Sequence, residues 1–459
     1  MSWSRRDFVK NASIAAAGAG LALHANPLSA QNAGERPSAG PASVEVLNPQ
    51  NRVPVSLIID DSTCLVNMAH FGIPQFAAVF PEQYKQPWRK LPREIPDTFV
   101  RSFGEWCHEH GVKGKYSIVP YPACVGWVDR ELPGWSLAEL QDSLELVRSL
   151  IMPDWDIHPE MVSHTRVINT KTGRPFEEYT EYFMENWRWT DGKSVDQLAD
   201  YMSYALRILK NAGLPCEGIT TPGGFGNRVL PELAQATLES CRDVFGAEIP
   251  HYFRHLFTDD TSVAPRVEYA SGLDGNDPKC VVSIIGCTGD WFGGWDGLKI
   301  GSPDLFITAD LQGGRLPEVI SRGEPAIMVC HWPGFYCNGD EAGFNIFKTV
   351  VQRLHARYDH LIWIKLSEIS RYWAAKELTT ILQKDNRLVL QAPFAAPSFT
   401  IRCQSNSSAQ PKIVNQGQTA PLQQVSSPLN LKSGFWLKEQ DRVILCFDLV
   451  KGQSEIIIG

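Results

Sequence analysis

Two adjacent carboxylates, Asp60 and Asp61, follow the uncharged run Val55-Ser56-Leu57-Ile58-Ile59. Such a run reads as a strand buried on both faces. A sheet interior rejects two unpaired negative charges, so both carboxylates are expected at the strand's carboxyl end, facing a cleft. The plainer alternative is a turn, because Asp-Asp-Ser-Thr is also good capping chemistry. Further strand-like runs end on His, Asp or Gly-rich loops: Glu160-Met161-Val162-Ser163-His164-Thr165, Thr220-Thr221-Pro222-Gly223-Gly224, Gly289-Asp290-Trp291, and Ile327-Met328-Val329-Cys330-His331. One Asp plus one or two His from different strand ends makes a ligand set for a divalent metal, zinc above all, with positions left for water and substrate. The second Asp is then free to act as a base, and His331 to protonate a leaving group. Asp290, Trp291, Trp332 and Gly223 are candidate substrate contacts, and Asp290 and Asp296 straddle Gly-Gly-Trp as a clamp or as a plain surface loop. Gly223-Gly224-Phe225-Gly226 lacks the lysine and hydroxyl of a phosphate loop, which argues against a nucleotide.

These groups need a frame of strand ends. Helical patterns over 97–110, 136–150, 194–212, 230–245, 316–322, 342–357 and 367–377 alternate with strand-like runs at 115–120, 156–164, 216–221, 281–287, 326–330 and 361–365. In the run 156–164, His158, Glu160, Val162 and His164 would share one face. Alternation of this kind means parallel pairing with right-handed crossovers. The expected fold class is therefore α/β: a distorted (β/α) barrel of about seven strands over residues 51–384. From Asn386 onward only short alternating runs remain, so 385–459 reads as a small antiparallel β module. That module is expected to be a packing appendage ahead of a carbohydrate-binding unit. The stretches Phe71 to Pro96 and Phe176 to Trp189 read as insertions that shape a cleft.

The chain has 459 residues, a net charge of -8 and 43% hydrophobic residues, which is ample for a core. No Lys/Arg block points to nucleic acid or an anionic membrane surface. Ser4-Arg5-Arg6-Asp7-Phe8-Val9-Lys10 precedes a moderately apolar run, Ala12 to Leu23, too short to span a bilayer. Residues 1–31 thus read as a twin-arginine-type signal, with a periplasmic or extracellular destination and no stable membrane insertion. Residues 32–50 read as a linker. The 11 cysteines are odd in number and lack C-x-x-C spacing. Buried free thiols are the expected state, with one or two disulfides left open for an exported chain.

The order of the motifs resembles the polysaccharide deacetylases of carbohydrate esterase family 4. Ile58 to Asp61 matches the family's aliphatic strand ending in Asp-Asp, and Ile327 to His331 its last strand, ending in His. Glu160 to Thr165 is similar to half of its second motif, Thr221-Pro222-Gly223 loosely to its third, and Gly289-Asp290-Trp291 to its fourth. The resemblance implies a distorted barrel acting on a carbohydrate substrate, with Asp60 as general base, Asp61 and His164 as metal ligands and His331 as general acid. It departs at the family's second ligand histidine, matched here by Ile168; His158, Asn169 or water would stand in. The family's arginine before the Pro loop is also absent. Two other readings remain: a glycoside hydrolase using Asp60, Asp290 and Asp296, and a non-catalytic carbohydrate-binding protein.

Overall fold

A computed structural model describes residues 33–405, 409–415 and 417–458; the signal read at 1–31 lies outside them. The fold is mixed α/β. Nine strands matter for the site: β1 (Val53–Asp60), β2 (Gly114–Ser117), β3 (Trp155–His158), β4 (Gly218–Thr220), β5 (His251–Leu256), β6 (Arg266–Ser271), β7 (Lys279–Gly286), β8 (Ala326–His331) and β9 (Leu361–Trp363). The helices are α1 (Met68–Val79), α2 (Asp97–Glu109), α3 (Leu137–Leu146), α4 (Val195–Asn211), α5 (Leu230–Phe245), α6 (Arg315–Ser321), α7 (Ala342–Arg357) and α8 (Leu366–Leu378).

Every residue of β1 is buried, as its aliphatic run requires. Leu57 and Ile59 pack in the same core as Phe99 and Phe103 of α2. Ile58 packs with Phe253, Ile284 and Val329. Period-two alternation thus commits the two faces of β1 to two different cores. The first sheet has the order β8-β1-β2-β3, with β9 against the start of β1, and all its pairs are parallel. In the second, β4, β5 and β7 run parallel and β6 lies antiparallel to β7. The parallel strands are therefore divided between two sheets. The sheets touch where Glu160 bridges to Thr220 and where Cys287 donates its N–H to Ile327 O at 2.8 Å. The register sets Asp60 beside His331 and Ser117 beside His158. Carboxyl ends of neighbouring parallel strands thus share one end of the sheet, as a site of this kind needs.

Three local expectations are corrected. The third strand stops at His158 instead of running to His164, because Pro159 has no N–H to continue a ladder. The linker 32–50 is not a free tether: Ala33–Gly34 pairs with β6, and Val44–Val46 pairs with Ile401–Cys403. All 11 thiols are unpaired, ten of them buried, so the disulfides left open do not form. Beyond Thr380 the chain makes two five-stranded sheets, one of which takes in Val44–Val46; their pairs are antiparallel except that Gln423–Val425 runs parallel to Phe435–Glu439. Leu388, Phe399, Leu445 and Ile456 share their core with Ile58, Val329 and Trp373 of the α/β part. Among the described residues no helix is long and apolar enough to cross a membrane.

Candidate functional site

Asp60 is the last residue of β1, and Lys115 lies on the neighbouring strand. The Lys115 ammonium, wholly buried, donates to Asp60 Oδ1 at 2.5 Å, Ile59 O at 2.9 Å and Ser117 Oγ at 2.7 Å. All three of its protons are used. Burial raises the pKa of Asp60; Lys115 opposes that, Glu160 adds to it, and His331 opposes it less strongly. Asp60 is therefore a carboxylate fixed in place by one cation, with an affinity for protons above the ordinary.

Asp61 turns away with a left-handed backbone (φ 59°), and its N–H donates to Glu160 Oε2 at 2.8 Å. After Pro159 the chain turns twice more through left-handed residues, Met161 (φ 52°) and His164 (φ 61°). This brings His164 Nε2 to 2.8 Å from Asp61 Oδ1 and 3.2 Å from Glu160 Oε1. One ligand atom each from Asp61, Glu160 and His164 lies within 4.8 Å of the others, and all three residues are buried. Burial disfavours charge on His164, but Asp61 and Glu160 outweigh it and raise its pKa well above the usual range. Burial likewise pushes Glu160 up, and His164, Lys115 and the Asp61 N–H outweigh it and bring its pKa below the usual range.

The donor set fits a divalent cation. Two buried carboxylates face a single imidazole, and Asp61 Oδ1 has no hydrogen-bond donor aligned with it despite its closeness to Nε2. Two buried carboxylates carry more charge than one imidazolium can offset, and a divalent cation would take up the rest. Oxygen and imidazole ligands together suit zinc and other divalent transition ions.

His158 is corrected as a ligand. It is fully buried, its Nε2 shares a hydrogen bond with His251 Nε2 at 2.9 Å, and its Nδ1 meets Thr220 Oγ1 at 3.3 Å. Both ring nitrogens are engaged, and the residue grouped with Asp61 and His164 is Glu160. Asn169, the other stand-in, accepts from Lys171 N at 3.0 Å in a turn.

On the other side, His331 ends β8 and its Nδ1 lies 3.2 Å from Asp290 Oδ2. Burial would lower its pKa, but Asp290, then Asp61 and Asp60, carry it up to about 10. Both side chains keep about a quarter of their surface exposed, unlike the Asp61–Glu160–His164 group. Solvent therefore reaches the site from this side. Trp291 is half-buried, edge-on to Phe306. Trp332 is corrected as a substrate contact: it is 1% exposed, ringed by Phe99, Phe103 and Tyr116. Gly223 is exposed beside Asn186 and needs its left-handed φ of 43°. Asp296 is buried, accepting from Leu298 N and Gln86 Nε2.

Lys115 and the ligand geometry of Glu160 were missed in the sequence. A signal existed for Lys115, a charge placed directly before the uncharged run Tyr116-Ser117-Ile118-Val119-Pro120 and two residues after Lys113. Glu160 stands in the sequence as half of a motif, and nothing in its spacing singles it out as a ligand.

No family model matches the chain, and no curated protein does. Among solved structures there are similarities. A probable polysaccharide deacetylase from Pseudomonas aeruginosa PAO1 is 11% identical, with a TM-score of 0.36 over 71% of this chain and 91% of that one. The Puue allantoinase is 12% identical, with a TM-score of 0.38 over 72% and 92%. A mutant of a CE4 family pseudoenzyme, with restored activity, is 11% identical at a TM-score of 0.31 over 70% and 68%. At such identities, what the site can do rests on its own side chains.

Proposed function

We propose that this chain is an exported, metal-dependent hydrolase that removes acyl groups from a polysaccharide or oligosaccharide. Its two sheets would work as one distorted barrel, joined through the Glu160–Thr220 bridge and the Cys287–Ile327 contact. The observation that carries the reading is the buried Asp61–Glu160–His164 group, with Asp60 and His331 on adjoining strand ends. In this reading Asp61, Glu160 and His164 hold a divalent ion, zinc in the first instance, which when bound supplies Lewis acidity toward the acyl oxygen. Asp60, held by Lys115, accepts the proton of the attacking water as its oxygen bonds to the acyl carbon. His331, kept protonated by Asp290, gives a proton to the departing nitrogen or oxygen as its bond to that carbon breaks. Asp290 and Trp291 lie at the exposed side, where a sugar would enter.

A glycosidase would need two carboxylates free to exchange protons. Asp60 could supply one of them, but His331 holds Asp290 and Asp296 is buried, accepting from Leu298 N and Gln86 Nε2, so the acyl hydrolase is the better-supported reading. The test is acetate release from acetylated chito- and xylo-oligosaccharides by the zinc-supplemented chain. Asp60→Asn should lower kcat about 10²- to 10⁴-fold, the range for loss of a general base. Release that is undiminished in Asp60→Asn would overturn the assignment of the base. Cleavage of glycosidic bonds without acetate release would overturn the reaction class.

A further inference from the structure

We infer that Glu185 is a positioning residue for the candidate metal site, so that the inserted segment carrying it belongs to the frame of that site. The inference rests on the metal reading above. Glu185 is wholly buried, and its carboxylate takes hydrogen bonds from three successive backbone N–H groups. Val162 N donates to Oε1 at 3.2 Å, Ser163 N to both oxygens at 3.1 and 3.2 Å, and His164 N to Oε2 at 2.6 Å. Tyr201 of α4 adds its hydroxyl proton to Oε1 at 2.5 Å.

Successive N–H groups that converge on one point form a concavity that binds an anion. The left-handed residues Met161 and His164 stand at its two ends, and Glu185 supplies the anion from within the chain. A left-handed conformation is unfavourable for His164 unless its surroundings impose it. The carboxylate imposes it, and the imidazole is thereby turned toward Asp61 and Glu160.

The brace is itself anchored. Glu185 N donates to Thr165 O at 2.7 Å, and Val167 N to Phe183 O at 2.9 Å, so the segments 165–167 and 183–185 form a short ribbon. One residue on, Asn186 O accepts from Gly224 N after β4, and Trp187 packs against Phe76, Phe80 and Tyr84. The stretch that the sequence marks as a cleft-shaping insertion thus also holds up one wall of the candidate metal site. Partners that orient a ligand are typically worth 10- to 100-fold in metal affinity.

The experiment measures zinc affinity by competition with a fluorescent chelator, in the wild type, Glu185→Gln, Glu185→Asp and Tyr201→Phe. Melting of each apo protein and the visible spectrum of each cobalt(II) form are recorded alongside. An amide keeps one acceptor and cannot receive all the donors. Glu185→Gln should therefore bind zinc about 10- to 100-fold more weakly, with a shifted cobalt(II) spectrum. Should Glu185→Gln not fold, Tyr201→Phe, which keeps the carboxylate and loses one donor, should be several-fold weaker with apo melting near wild type. Affinities within about threefold of wild type and an unshifted spectrum in the folded variants would overturn the role of Glu185. A wild type that binds neither zinc nor cobalt would fell the metal reading, and this inference with it.

Discussion

Lys115 and Asp60 are each costly to bury alone, and together they compensate. Lys115→Met leaves a buried carboxylate without its cation and should destabilise the fold by about 3–5 kcal/mol. Asp60→Asn in the same chain should recover a good part of that loss, since the two sites share one interaction. Denaturant melts of the two single variants and the double variant measure it; equal losses in Lys115→Met with and without Asp60→Asn would contradict the pairing. Glu268 provides the pH test. Burial pushes its pKa from 4.5 up to about 7, Arg266 and Arg36 pulling it down and Glu377 pushing it up. A carboxyl raised in the folded state favours folding while protonated. Its penalty therefore starts as the pH passes 4.5, grows to about pH 7 and is constant above. Glu268→Gln should accordingly melt higher than wild type at pH 8, by roughly 1–3 kcal/mol, with the gain vanishing near pH 4. A gain of the same size at both pH values would rule out titration as its cause.

Elements with a strong pattern were legible in the chain, and the exceptions have physical causes. The aliphatic runs of β1, β7 and β8 and the helices α2, α4, α5 and α7 lie within a few residues of where their patterns place them. α1 was missed because Gly72 and Pro74 interrupt it. β5 was missed because His251, Arg254 and His255 hide a strand inside a polar stretch. The third strand is shorter than its pattern, because alternation carries on past Pro159 where the ladder cannot. That single overextension placed His158 on the face of His164 and made it a ligand. Tertiary structure groups Glu160 with Asp61 and His164 instead, through two left-handed turns that alternation does not encode. Packing of α2 against β3, the end of β8 and α7 supplies an element-scale prediction. Phe103, fully buried against Trp155, Trp332 and Phe344, should cost about 3–5 kcal/mol on replacement by Ala. A loss below about 1 kcal/mol in denaturant melts would show that this contact is not part of the core.

At the scale of the whole molecule, the sheets beyond Thr380 and the strand Val44–Val46 close over a core shared with β1 and α8. The β module was legible as short alternating runs; its shared core was not, since nothing in a strand's alternation names its partner. A chain ending at Lys384 should bare Trp373, Ile369 and Phe253 and lose cooperative melting, whereas a soluble, cooperatively melting truncation would make the module dispensable. The central claim is a metal site built from Asp61, Glu160 and His164. The most direct test is the metal content of the purified protein by elemental analysis. The account predicts about one equivalent of zinc or another divalent transition ion, lost in Asp61→Ala, Glu160→Ala and His164→Ala and kept in His158→Gln. A metal-free wild type, or an ion that survives both Asp61→Ala and Glu160→Ala, would contradict it.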